Sequence, residues 1–326
     1  MVGWFSKLVV SMTIRMPRWF VRWVSRRYVA GPSLEDAVFV MKRLEKEGAC
    51  FTIDVLGEEI HSIDEAMEFY NEYENVIRAI TSNSLDANIS IKPTAFGIHI
   101  DYDKGADLIE KLIRFAGEFD MFVRLDMEDH RVTDDTIKIV TELHGKGVTN
   151  VGTVLQGRLH RTVDDIKNLQ QILGPAADYR ICKGIYLEPE EIAFTRYKDI
   201  VESTNAAIKE MLNAGAYIGI ASHDKPVIDY SIQQLEQHGM GPHRTDARPN
   251  AGIVERKGKG PGYEFQMLLG VRGPMRRKLL NDGHRVRVYI PYGEKWYEYS
   301  IRRLKENPTI GTHVAKAFLM PWTNRP

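Results

Sequence analysis

Two adjacent arginines, a tyrosine and a glutamate share one face of a short predicted helix near the end of the chain. The segment reads "EKWYEYSIRRLKENP" and directly follows the strand-like run "RVRVYIPYG". At about 3.6 residues per turn, Tyr299, Arg302, Arg303 and Glu306 lie on one broad side of the helix. Each guanidinium presents a planar fork of donors suited to a carboxylate. The pattern indicates either capture of a carboxylate ligand or a solvated helix with an ordinary Glu and Arg pair.

A lysine, Lys92, stands within the apolar run "NISIKPTAFG", which is predicted to be a strand. An isolated ammonium group is costly to bury, so Lys92 needs an acidic partner. The candidates are Asp54, Asp126 and an acidic ligand. With the arginine pair, Lys92 makes three cations at one predicted place, which indicates an anionic substrate or cofactor group.

No motif in the chain identifies a catalytic mechanism by itself. The chain lacks a GxSxG elbow, an HExxH pair and a Walker loop. His223 is a candidate metal ligand or base, or else a hydrogen-bonded rim residue. Cys50 and Cys182 are the two cysteines, without CxxC or metal-ligand spacing, so we expect reduced thiols and no metal. A bound cofactor is therefore expected to supply the chemistry.

These residues need a scaffold, and the chain alternates apolar, β-branched runs with amphipathic helical patterns. Eight runs are predicted strands, and they begin at Cys50, Asn88, Met121, Asn150, Tyr179, Tyr217, Tyr263 and Arg287. Without a glycine-rich dinucleotide fingerprint, this order predicts an α/β fold, a (β/α)8 TIM barrel. Active sites of such barrels lie at the carboxyl ends of the strands. Polar residues stand at or near the end of every run: Asp54, Glu58, Lys92, Asp126, Glu128, Gln156, Arg180, Lys183, Tyr186, His223, Asp224, Gln266 and Tyr289.

Composition and charge exclude several classes of protein. The net charge is zero, so nothing favours a nucleic-acid partner.

We predict a basic amphipathic segment over 1–30 and one barrel domain over 31–326. The first 34 residues carry six basic side chains and no acid, with tryptophans at helical spacing. Three interpretations remain open for this N-terminal extension: a helix packed on the body, a membrane-surface helix over 4–28, and an organelle presequence. The glycine-rich stretch 241–262 is predicted to be a mobile loop on the barrel.

With the strands placed, the chain closely resembles the catalytic domain of the proline dehydrogenase family, from about Ala30 to about Asn307. The resemblance rests on "FTIDVLGE", "SIKPTAFG", "YRICKGIY", "YEFQMLLG" and, most specifically, "YIPYGEKWYEYSIRRLKE". It implies a flavin enzyme built on a distorted (β/α)8 TIM barrel, with a final helix over the barrel mouth. The implied reaction is oxidation of L-proline to Δ1-pyrroline-5-carboxylate, the first step of proline catabolism to glutamate. The resemblance also implies that FAD accepts the hydride and that a membrane quinone then accepts the electrons.

The resemblance also implies roles for individual residues, with Lys92, Arg180 and Asp126 as the catalytic set. Carboxylate binding is implied for Lys92, Arg302 and Arg303, with Glu58 pairing with the first arginine. Walls around the pyrrolidine ring are implied for Tyr289, Tyr299, Tyr186 and Leu268. Cofactor contacts are implied for Gln156, Arg180, Lys183, Gly184, Ser222, His223 and Glu306.

The expected form is the monofunctional bacterial one, in the cytoplasm and peripherally associated with the inner face of the cell membrane. Two alternatives stay open. One is a flavin enzyme for hydroxyproline or another cyclic imino acid, with the tyrosine packing deciding the size limit. The other is an inactive barrel that serves as a proline sensor.

Overall fold

The computed structural model describes residues 21–22, 25–57, 60–248, 259–297 and 299–300. Its centre is a closed barrel of eight parallel strands. The strands are β1 (Cys50–Val55), β2 (Ala87–Ile91), β3 (Val123–Leu125), β4 (Val151–Gln156), β5 (Asp178–Cys182), β6 (Tyr217–Ala221), β7 (Tyr263–Leu268) and β8 (Val286–Tyr292). Neighbours in sequence are neighbours in the barrel, and β8 pairs with β1 to close it. The predicted (β/α)8 barrel is confirmed.

Eight α-helices in the described part of the chain surround the barrel. They are α1 (Leu34–Glu45), α2 (Ile63–Ser82), α3 (Tyr102–Glu118), α4 (Thr133–Gly145), α5 (Thr162–Leu173), α6 (Tyr197–Asn213), α7 (Lys225–Gln237) and α8 (Gly273–Asn281). Polar side chains cap several of them, because the first N–H groups of a helix lack internal partners. The Ser33 hydroxyl caps α1 in a capping box with Asp36, and Asp101 caps α3 by accepting from the Lys104 N–H.

All eight strands end before the runs that predicted them, and at β2 this changes the position of Lys92. The ladder of β2 ends at Ile91, so Lys92 lies just after the strand and not within it. Pro93 explains the end of β2, since proline has no N–H for a ladder and here opens the 3₁₀ turn Pro93–Phe96. Strands β3 and β5 also end early, which leaves Asp126 and Lys183 on the loops that follow them.

The barrel interior is polar, although interiors of this fold are usually filled by branched apolar side chains. Side chains alternate across a strand, so residues two apart share a face. On β2 the inward residues are Asn88 and Ser90, and on β7 they are Glu264 and Gln266, while their apolar neighbours pack toward the helices. Cross-barrel hydrogen bonds confirm the inward direction, as between Arg180 on β5 and Ser90 on β2.

The amino-terminal end of the interior holds a set of buried ions that we call the floor cluster: Arg124, Asp178, Lys259, Glu264 and Arg287. Asp178 pairs with Arg124 and lies 3.2 Å from the Lys259 ammonium. Glu264 accepts from Arg287 at 2.7 Å. Three cations therefore face two carboxylates.

The described ends of the chain pack on the opposite, carboxyl end of the barrel. Val21 and Ser25 are buried, and Arg27 donates to the carbonyl of Gly270. This much of the N-terminal segment is packed on the body, and residues 1–20 lie outside the described residues. After β8 a helical turn begins at Trp296, as predicted, and the rest of the predicted final helix falls on residues outside the described ranges. No helix within the described ranges combines the length and apolar character needed to cross a membrane.

Candidate active site

Charged and polar side chains converge at the carboxyl end of the barrel, and we call them the mouth cluster: Asp54, Lys92, Asp126, Arg180 and Tyr289. They come from β1, the turn after β2, the loop after β3, and strands β5 and β8. The sequence prediction that strand-end polar residues would meet at one rim holds for all five.

Lys92 forms an ion pair with Asp54, with 2.5 Å between Nζ and Oδ1. This answers which of the candidate partners it takes. Burial by itself lowers the pKa of Lys92, but the carboxylates of Asp54 and Asp126 outweigh burial and hold that pKa above its ordinary value. Lys92 is therefore a fixed positive charge at neutral pH.

Asp126 is the centre of a second group of contacts. Its Oδ1 accepts from Ser90 at 2.5 Å and from Arg180 at 2.6 Å, and its Oδ2 accepts from the Tyr289 hydroxyl at 2.6 Å. Burial, followed by the nearby carboxylates, raises the pKa of Tyr289 well above its usual range, so its hydroxyl stays a donor. The arrangement fixes the Asp126 carboxylate from both sides.

Arg180 connects the mouth to other strands. Its Nε donates to Gln266 at 2.5 Å, and its guanidinium carbon lies 5.3 Å from the centre of the Tyr289 ring. A guanidinium held by Asp126, Gln266 and an aromatic face has little freedom to rotate.

Predicted cofactor residues line the neighbouring part of the rim, at the ends of β4, β5 and β6. Gln156 is buried and donates to the carbonyl of Glu128 at 2.8 Å. Gly184 has a φ of +92°, and a Cβ there would come within 2.6 Å of the Gln156 amide oxygen. A glycine is required for this close approach. Lys183 is paired with Asp224 in this structure.

His223 is a hydrogen-bonded rim residue. Its Nε2 accepts the N–H of Leu268 at 2.9 Å, so the proton of the neutral ring lies on Nδ1. Burial, assisted by Arg272, lowers the pKa of His223 to about 4. The ring is therefore neutral at physiological pH and offers one donor. Ser222 is buried and accepts from the Asp224 N–H.

The remaining predicted residues divide into described and undescribed ones. Tyr299 is buried against Val29 and Leu56, while Tyr186 is half-buried on the segment after β5. Glu58, Arg302, Arg303 and Glu306 lie outside the described residues.

Sequence reasoning missed Ser90 as a site residue and gave Gln266 no role. A signal was present, because both stand two residues from another inward polar residue on an otherwise apolar strand. The same signal marks floor residues, so it identifies the interior but not the site.

Chemically, the mouth cluster fits binding and positioning. It holds two fixed cations, two aspartates and a phenol on rigid strand ends. No group of three or more His, Cys, Asp or Glu within the described ranges is arranged to hold a metal ion. The rim at β4 to β6 adds two hydrogen-bond donors, the Lys183 ammonium and the Nδ1–H of the neutral His223 ring, and a close backbone approach at Gly184. These groups fit a flavin cofactor with its phosphates.

The chain is similar to known proteins over most of its length. Residues 37–316 match the family described as "Proline dehydrogenase". The chain is 34% identical to proline dehydrogenase of Deinococcus radiodurans over 301 residues, covering 91% of this chain and 90% of that protein. It is 32% identical to proline dehydrogenase 1 of Bacillus subtilis subsp. natto over 295 residues, with 90% of each covered. Among solved structures, proline utilization A from Bdellovibrio bacteriovorus has the same fold, with a TM-score of 0.76 at 22% identity. The match covers 87% of this chain and about a third, 32%, of that longer chain.

Proposed function

The chain belongs to the proline dehydrogenase family, and we propose on this premise that it oxidises L-proline to Δ1-pyrroline-5-carboxylate, with bound FAD supplying the hydride acceptor. The observation that carries the proposal is the mouth cluster, where Lys92 and Arg180 are held as fixed cations at the carboxyl ends of the strands. Relatives at this level of identity carry the same activity in their names.

The charge balance at the mouth determines how the substrate carboxylate is bound. Lys92 and Arg180 are each matched by an aspartate, so this part of the site is neutral as described. A carboxylate ligand needs additional positive charge, because a buried anion without a partner is costly. We assign that charge to Arg302 and Arg303, with Lys92 as the third contact and Glu58 as partner of the first arginine.

Aromatic side chains shape the rest of the pocket. Tyr289 is fixed by its hydrogen bond to Asp126, so its ring has a set position. We assign the walls around the pyrrolidine ring to Tyr289, Tyr299, Tyr186 and Leu268. Positioning a small substrate between rigid walls supplies much of what such a reaction needs.

The cofactor is assigned to the rim from β4 to β6. Gln156, Lys183, Gly184, Ser222 and His223 would hold it, with Arg180 beside it and Glu306 from the final helix. The Gly184 cradle supports this, since any larger residue would push the backbone away from Gln156. Lys183 would exchange its pair with Asp224 for contact with the cofactor.

The test is the visible absorption spectrum of the purified protein, recorded before and after anaerobic addition of L-proline. We expect a flavin spectrum that bleaches with L-proline and much less with trans-4-hydroxy-L-proline. A flavin that remains oxidised with L-proline would contradict the substrate assignment. A protein that takes up no FAD would contradict the cofactor and favour the sensor.

The role of the arginine pair has its own test. Arg303→Met should leave FAD bound and raise the KM for L-proline, because losing a buried charged contact costs roughly 2 to 5 kcal/mol. Arg325→Met, a basic residue beyond the predicted helix, is the control. Near-normal KM in Arg303→Met would remove the carboxylate role.

We further propose that electrons pass to a membrane quinone and that the basic segment within 4–28 touches the membrane surface. Because Val21 and Ser25 are packed on the barrel, the contact is assigned to the portion before them. Deleting residues 1–20 should weaken binding to anionic vesicles relative to zwitterionic ones and leave dye-coupled turnover intact. Loss of solubility and of flavin on deletion would instead indicate a packed structural helix.

A further inference from the structure

We propose that Gln266 is a positioning residue for Arg180, and that Glu264 of the floor cluster dictates which way the Gln266 amide points. The proposal rests on the proposed function, because it concerns how the active-site arginine is held. Gln266 is two residues from Glu264 on β7, so both side chains face the barrel interior.

Two hydrogen bonds place Gln266 between the mouth and the floor. Its Oε1 accepts from Arg180 Nε at 2.5 Å. Its Nε2 donates to Glu264 Oε1 at 2.7 Å. All three side chains are buried. The amide therefore joins the two charged clusters through one residue.

The direction of the amide follows from the chemistry of its neighbours. A guanidinium only donates hydrogen bonds, and an ionised carboxylate only accepts them. The oxygen of Gln266 must then face Arg180 and its NH₂ group must face Glu264. Reversing the amide would break both bonds at once, so the hydrogen-bond network dictates the orientation of the amide.

The floor cluster keeps Glu264 ionised and so sustains this direction. Burial alone would raise its pKa, but Arg287, followed by Lys259, holds the pKa well below the usual range. Arg287 donates to both carboxylate oxygens, at 2.7 and 3.0 Å, and the Tyr217 hydroxyl donates at 3.0 Å. Glu264 accordingly acts as a permanent acceptor for the Gln266 amide.

Gly219 on β6 makes room for the Gln266 side chain. A Cβ at Gly219 would lie 2.4 Å from Gln266 Nε2 and 2.9 Å from its amide carbon. The backbone of Gly219 itself is compatible with alanine, since its φ is not in the left-handed region. Gly219→Ala therefore displaces the amide without changing Gln266, Glu264 or Arg180.

The experiment compares four variants of the FAD-loaded protein: Gln266→Ala, Gly219→Ala, the double variant, and Gly145→Ala as control. A Cβ at Gly145 would meet nothing within 4 Å. The readouts are kcat and KM for L-proline, the midpoint potential of the flavin measured with a chemical reductant, and the melting temperature.

We expect kcat of Gln266→Ala to fall about 10- to 100-fold, as for a reacting group displaced by roughly 1 Å, with little change in KM. The flavin potential should shift to more negative values, because the Arg180 cation is no longer held in place. Gly219→Ala should show the same pattern, smaller in size, and the double variant should be no worse than Gln266→Ala. Gly145→Ala should match the unsubstituted protein.

A lower melting temperature with unchanged kcat and potential would overturn the proposal, and so would additive effects in the double variant. If Gln266→Ala fails to fold, Gly219→Ala carries the same test. A crystal structure of the unsubstituted protein with the Gln266 amide turned from Glu264 would also overturn it. Failure of the proposed function can be told apart from failure of this proposal. If the proposed function is wrong, L-proline will not bleach the flavin of the unsubstituted protein, but the flavin potentials measured with a chemical reductant still test the role of Gln266.

Discussion

The mouth and the floor of the barrel are built from the same kinds of side chain and differ in access to solvent. In the floor cluster, none of the paired side chains is more than 1% exposed. In the mouth cluster, the side chains of Lys92, Arg180 and Asp126 are 11%, 7% and 14% exposed, whereas their neighbour Asp54 is as buried as the floor, at 1%. A buried ion pair is a weak source of stability, since desolvation offsets its attraction. Most charged side chains of the mouth are therefore accessible to a ligand from solvent, whereas the charged side chains of the floor are not.

The largest expected effect is on the floor, from removing a carboxylate where cations are already in excess. Asp178→Asn leaves Arg124 and Lys259 without their anion. We expect the free energy of unfolding to fall by about 3 to 5 kcal/mol, measured by urea denaturation. KM for L-proline should not change in the folded protein.

Glu110→Gln is the matched control, because Glu110 also pairs with one arginine and one lysine, but on the surface. Its effect should be much smaller, since surface ion pairs contribute little. Equal effects of the two substitutions would mean that burial does not set the contribution of the floor.

The second-largest effect is expected at the mouth, where a substitution should reduce activity more than it reduces stability. Arg180→Met should reduce kcat/KM by about 100- to 1,000-fold, as for the loss of one preorganised charged donor. Its cost in unfolding free energy should be less than half that of Asp178→Asn, because Asp126 keeps Ser90, Tyr289 and some solvent. Steady-state kinetics and urea denaturation on the same preparations decide this. A variant that unfolds as readily as Asp178→Asn would place Arg180 with the floor.

The sequence predicted the barrel well, because parallel strands buried on both faces read as continuous apolar, β-branched runs. It predicted the rim residues, since strand ends meet at one edge. It offered Asp54 among the candidate partners of Lys92, and that pair is present. It did not predict the contact between Asp126 and Tyr289, because these residues are 163 positions apart and only the closed barrel brings them together. Pro93 indicates where β2 must end, but the predicted strand ran past it. The separation of mouth from floor was not readable, because inward polar residues alternate identically at both ends of a strand.

A moderate effect of pH on the free energy of unfolding is expected from Lys259, the cation in excess on the floor. Burial lowers the pKa of Lys259 to about 8, below its ordinary value near 10.5. Between these values the folded protein has released a proton that the unfolded chain retains, so stability rises with pH in this window. Below about pH 8 both states hold the proton, and the full cost of the buried charge applies.

Lys259→Met should therefore be more stable than the unsubstituted protein at pH 7, by about 1 to 3 kcal/mol, and the gap should narrow toward pH 10. Urea denaturation at pH 7, 8, 9 and 10 measures it, with the exposed Lys209→Met as control. A less stable Lys259→Met would show that the floor needs all three of its cations.

The smallest expected effect comes from Ser90, which lies between the two clusters. Its hydroxyl donates to Asp126 and accepts from Arg180 at 3.2 Å, while the same oxygen is 3.5 Å from the Arg124 carbonyl. One such bond contributes about 1 kcal/mol, so Ser90→Ala should lower kcat roughly fivefold. Ser231→Ala, on α7, also removes a fully buried serine hydroxyl, here bonded to the Val227 carbonyl, and should affect stability alone. If Ser90→Ala instead changes only the unfolding free energy, Ser90 belongs with the floor and not with the mouth. Arg180 and Tyr289 would then be sufficient to position Asp126.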